Sequence, residues 1–179
     1  MKYGKEIAIG IASGLFASWI KSLVEPPLQE LGEKIWKPTP EQKLLYGADV
    51  NGHPENMPPA VLVAETKSLV SKKPMTKSQR ITSLKIVHYV FGAAIGVGYA
   101  IAAKKSKAVS SAEGIPAGIA VWTLTHGTTL PAMGMQGKVR QMPKAWHVWE
   151  FGSHIIFGGA LEACRKILNH LPDCSAKKK

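Results

Sequence analysis

Apolar and polar residues are segregated along the chain. Four apolar blocks, near 7–24, 86–103, 115–135 and 145–161, are parted by charged segments. Each block approaches the ~20 residues an α-helix needs to cross the hydrocarbon of a bilayer. The pattern predicts an all-α, four-span transmembrane helical bundle forming a single membrane domain, with spans at about 5–25, 84–103, 114–135 and 145–166. Pro26-Pro27 is expected to end the first helix. The polar segment 26–83, rich in proline and lysine, reads as a long extracytoplasmic connection. It is partly helical: TPEQKLL (39–45) and PPAVLVAETKSLV (58–70) each suit a short amphipathic helix, the second lying on the membrane surface. GADVNGHPENMPP between them reads as loop.

Taken four residues at a time, each block shows a stripe of small residues running into ionisable ones. The first has Gly10, Gly14 and Ser18, extended by Lys21 and Glu25. The second has His88, Gly92, Gly96 and Ala100; the third Gly114, Gly118, Trp122 and His126; the fourth Glu150, His154, Gly158 and Glu162. Residues four apart share one helical face, and small-residue faces let membrane helices approach closely, as in glycine zippers. Gly10, Gly14, Gly92, Gly96, Gly118 and Gly158 are therefore the expected packing positions. The polar residues continue those faces, so they are expected to point into the bundle rather than at lipid.

Charge sets the orientation. The chain has 23 Lys+Arg against 12 Asp+Glu, a formal net charge of +11. Lys2, Lys5, Lys104, Lys105, Lys107, Arg165, Lys166 and the three terminal lysines flank one side of the spans; Lys138, Arg140 and Lys144 flank the other. The positive-inside bias predicts both termini in the cytoplasm. Lys21, Glu25, His88, His126, Glu150 and His154 then fall at one depth, within ~15 Å of the outer end at 1.5 Å per residue. Glu162 continues the stripe further inward. Lys21 and Glu25 sit where Ala-x-Ala-like cleavage residues would follow a signal peptide, so the first block is expected to stay as an uncleaved span.

The segments KSLVEPP (21–27), IVHYVFGAAIGVGYA (86–100), THGTTLPAMGM (125–135) and EFGSHIIFGGALEACRK (150–166) resemble the YagU-like family of bacterial inner-membrane proteins, a family of unknown function. The resemblance covers all four blocks in order but not the long connection. It implies a four-span inner-membrane protein in which Lys21, Glu25, Pro27, His88, His126, Pro131, Glu150, His154, Glu162 and Arg165 occupy family positions. It implies no activity.

Three functions remain open. The first is proton or ion handling by Lys21, Glu25, His88, His126, Glu150, His154 and Glu162, since intramembrane ionisable residues are functional candidates. The second is metal binding by His88, His126, Glu150 and His154, residue types that suit zinc, iron or copper, with bis-histidine haem as a variant. The third is structural: the same pairs hold helices together in a homo-oligomer or larger membrane complex. No nucleophile–base motif, phosphate loop or CxxC is present, so the sequence points away from an enzyme and requires no cofactor. Cys164 and Cys174 match no zinc spacing and read as ordinary thiols. Aromatic residues do not interleave with the basic runs, so the partner is the lipid bilayer, with no nucleic acid.

Overall fold

The computed structural model describes residues 3–171, all of them in helices, turns and loops with no strand among the described residues. Seven α-helices follow in order: α1 (Gly4–Ile35), α2 (Pro40–Lys43), α3 (Pro58–Val70), α4 (Lys77–Lys105), α5 (Ile115–Leu124), α6 (Leu130–Ala132) and α7 (Lys144–His170). Helix α1 packs along both α4 and α7, and α5 packs on α7. Two helices, α1 and α4, are long and apolar enough to cross a membrane. Helix α5 is short, and α7 carries its polar residues along a buried stripe (Glu150, Ser153, His154, Glu162).

Helix α1 does not end at Pro26-Pro27, as the sequence predicts, but runs through both to Ile35. Two prolines remove two N–H donors and cost ~3 kcal/mol or more in a helix interior. Tertiary bonding beyond them holds the helix. Buried Gln29 accepts from the backbone N–H of Val50 at 2.9 Å and donates to Asp49 Oδ1 at 2.6 Å. Asn51 Nδ2 donates to the Pro26 carbonyl at 3.2 Å, and Gly32 fits against Ala145 of α7. The end of α1 thus belongs to the loop that covers it.

The expected short helices are present. Thr39 and Thr76 cap α2 and α4 with reciprocal capping boxes to Gln42 and Gln79. Helix α3 buries only its start, Pro58, Ala60 and Val61, and leaves Leu69 and Val70 exposed. Pro131 acts on the turn before it. Having no N–H, it leaves the backbone before it without a regular partner, and residues Thr125–Thr129 form a π turn in which Leu130 N–H reaches the Thr125 carbonyl. Thr128 and Thr129 hydroxyls donate to the Thr123 and Leu124 carbonyls at 2.9 and 2.6 Å.

Close contacts fix the helix faces. A Cβ at Gly10 would lie 2.6 Å from the Gly96 carbonyl oxygen, and one at Gly158 would lie 2.8 Å from Gly118 N. Gly14 and Gly92 likewise press backbone on backbone. Two apolar groups form above and below the middle of the molecule. One gathers Ala48, Met57, Met142, Ala145, Trp146 and Trp149 under the loop; the other gathers Ala17, Tyr99, Phe157 and Leu161. Between them lies a polar layer. Cys164 is a free thiol, while Cys174, Lys2 and the terminal lysines lie outside the described residues.

Candidate functional site

The polar layer is built on Glu150, which is fully buried. Its Oε1 lies 3.2 Å from Lys21 Nζ, 3.3 Å from His126 Nε2 and 3.3 Å from His154 Nδ1. Spacing of four on α7 places His154 over Glu150, and the same spacing on α1 places Lys21 against Glu25, with which it forms a buried ion pair. His126 enters from the π turn, which re-aims the chain between α5 and α6. One ligand atom each from His126, Glu150 and His154 fall within 4.8 Å of one another.

Hydrogen bonds decide what this group lacks. Gln136 Nε2 donates to the His126 carbonyl at 3.1 Å, which orients the amide so that its Oε1 accepts from His126 Nδ1 at 2.6 Å. A neutral His126 ring then carries its lone pair on Nε2, facing the Glu150 carboxylate. His154 Nδ1 donates to the Glu150 backbone carbonyl at 2.9 Å, and His88 Nε2 donates to the Ser18 carbonyl at 3.1 Å. Each ring spends its N–H on a fixed oxygen. Glu150 Oε2 is buried without a hydrogen-bond partner. The layer therefore holds a surplus of acceptors, with Lys21 as its one internal cation.

Two cavities reach it. One of about 350 Å³ lies beneath Val50 and Met57 of the loop and is lined by Lys21, Glu25, His88, His126 and Glu150. A second of about 180 Å³ is largely apolar and touches His88, His126 and His154 from the side of α4 and α5. The His126 and His154 rings meet edge to face with centroids 5.0 Å apart, which leaves no space for a porphyrin between them.

Of the seven residues read from the sequence as one polar group, Lys21, Glu25, His126, Glu150 and His154 are in contact. His88 lines both cavities but is held by Ser18. Glu162 does not join them. It lies twelve residues along α7, ~18 Å away at 1.5 Å per residue, where Tyr99 donates to it at 2.8 Å and Arg165 binds it through Nε and Nη2 at 2.6 and 2.7 Å. Those three bonds satisfy the carboxylate locally. Gln136 escaped the sequence reading. It sits beyond Pro131 in a Met–Gly loop, and only the fold brings it back to His126.

Fold and site define an all-helical protein with two apolar helices long enough to span a membrane and a buried His/Glu group between its helices. Residues 48–163 match a family described as protein of unknown function (DUF1440), and the chain belongs to that family. No curated protein and no solved structure matches it.

Proposed function

We propose that the chain is a YagU-like, multi-pass protein of the bacterial inner membrane that binds a divalent transition-metal cation in the outer half of a four-span bundle. The observation that carries this reading is the acceptor surplus around Glu150: His126 Nε2 and Glu150 Oε1 face each other at 3.3 Å, while Oε2 has no partner. Two imidazoles and a carboxylate suit zinc and its neighbours. Metal-bound histidines characteristically give their other ring N–H to a carbonyl or carboxylate, the role Gln136 Oε1 fills for His126. The cavity under the loop supplies a path from outside.

Large apolar side chains exposed on the helices of all four apolar blocks support the four-span arrangement: Leu15 and Trp19 on α1, Ile86 and Val90 on α4, Ile119 on the shorter α5, Val148 and Ile156 on α7. Both termini lie in the cytoplasm and 26–83 outside, supported by the Lys/Arg asymmetry. Cysteine labelling near Gly52 and at Cys174 should report opposite sides, and same-side labelling would refute the topology. The metal reading is tested by titrating stripped, detergent-purified protein with Co²⁺ and recording its visible spectrum. One equivalent is expected, lost in His126→Ala and Glu150→Gln. No cobalt, together with a proton flux abolished by Glu150→Gln, moves the reading to proton handling. Neither effect, with lowered stability in both variants, leaves a structural role in an oligomer or larger complex.

A further inference from the structure

The cavity on the α4–α5 side is walled by Leu62, Phe91, Val121 and Phe157, and its polar lining includes Lys21 and His88 beside His126 and His154. At about 180 Å³ it is close to the roughly 150 Å³ apolar cavity that accepts benzene in an engineered protein. It is the size of one aromatic ring. Its polar end wants two things at once. Lys21 gives two of its three N–H groups to Glu25 and Glu150, which leaves one donor. His88 gives Nε2–H to the Ser18 carbonyl, which leaves Nδ1 as an acceptor in the neutral ring.

A plain hydrocarbon would bury both groups unsatisfied, which is costly. A carboxylate would add a third negative charge to a layer that already sets Glu25 and Glu150 against Lys21. A hydroxyl both accepts and donates. We infer that this cavity binds a single phenolic ring, its hydroxyl accepting from Lys21 and donating to His88. The site adjoins the proposed metal centre and does not require it.

The test uses the full chain in lipid nanodiscs, stripped of metal, so that failure of the cation reading leaves it intact. Binding of phenol and of toluene, nearly equal in size, is followed by ligand-observed NMR and by thermal shift. Phenol is expected to bind at least about tenfold tighter than toluene, the combined effect of the two hydrogen bonds. His88→Phe should cut that preference to the part Lys21 supplies while keeping toluene, and Leu62→Trp should exclude both by filling the cavity. Equal affinity for the two, or binding of neither, overturns the proposal. Displacement of phenol by micromolar oleate also overturns it, because the occupant is then an acyl chain.

Discussion

His126 and Gln136 hold each other by two bonds, ring to side chain at 2.6 Å and side chain to backbone at 3.1 Å, across ten residues of chain. The reciprocal pair fixes both the tautomer and the aim of the ring toward Glu150. Gln136→Leu keeps the volume and removes the bond. If His126 is a ligand, Co²⁺ affinity should fall by about 10–100-fold, the usual effect of losing a partner behind a metal-bound histidine. Unchanged affinity would show that Gln136 only closes the loop.

Lys21 is a cation tethered inside the proposed cation site. A metal on Glu150 must displace or tolerate an ammonium 3.2 Å from the same carboxylate oxygen. Unit charges at 4 Å interact by about 4 kcal/mol near an effective dielectric of 20. Lys21→Met should therefore raise Co²⁺ affinity at least tenfold. In stripped protein the same change leaves Glu25 and Glu150 without their counter-ion, and stability should drop by ~3–5 kcal/mol. Added metal should restore it. A variant that is destabilised and gains no affinity would argue that Lys21 serves only the fold.

Much of this arrangement was legible because helical spacing is rigid. Lys21 with Glu25, and Glu150 with His154, are set by one turn of helix whatever surrounds them, and the small-residue stripes located the faces that meet. What could not be read were contacts made where regular spacing stops. The π turn before Pro131 determines how His126 is presented, and Gln136 returns from a loop with no periodicity. The continuation of α1 past Pro26-Pro27 depends on Gln29 meeting Asp49 and Val50, a tertiary interaction that overrides a local signal. Glu162 failed in the opposite sense: it keeps the stripe's spacing but finds Tyr99 and Arg165 first.

Gly96 and Gly98 lie two residues apart on α4 and differ in surroundings. A Cβ at Gly96 would press on the backbone of α1, 2.8 Å from Gly14 Cα, whereas nothing lies within 4 Å of one at Gly98. Gly96→Ala should cost ~1–3 kcal/mol by overpacking. Gly98→Ala should be neutral or stabilising by up to about 1 kcal/mol, because alanine loses less chain entropy in a helix. Thermal denaturation in one detergent compares them directly. Equal costs would mean that α1 and α4 are not held face to face.

Asp49, outside the proposed spans, gives the loop a definite acid response. Burial alone pushes its carboxyl up, but the Gly52 N–H, the Gln29 amide and the Lys43 ammonium outweigh burial and hold it below the usual aspartate value. Gly52 N–H donates to Oδ1 at 2.8 Å, and Lys43 sits 3.5 Å from Oδ2 while also binding Glu33 at 2.7 Å. A depressed folded pKa means that the ionised carboxylate stabilises the loop above the unfolded aspartate pKa of about 3.9. That stability is lost as pH falls through the lower folded value. Amide exchange at Val50, Asn51 and Gly52 should therefore accelerate below about pH 4, before the α1–α4 contact opens. Asp49→Asn keeps an oxygen for Gly52 but loses the charge facing Lys43. It should start with weaker protection at neutral pH and change little through the acid range, with Glu33 the remaining carboxylate on Lys43. Identical acid profiles for the two proteins would remove Asp49 from the anchoring of α1.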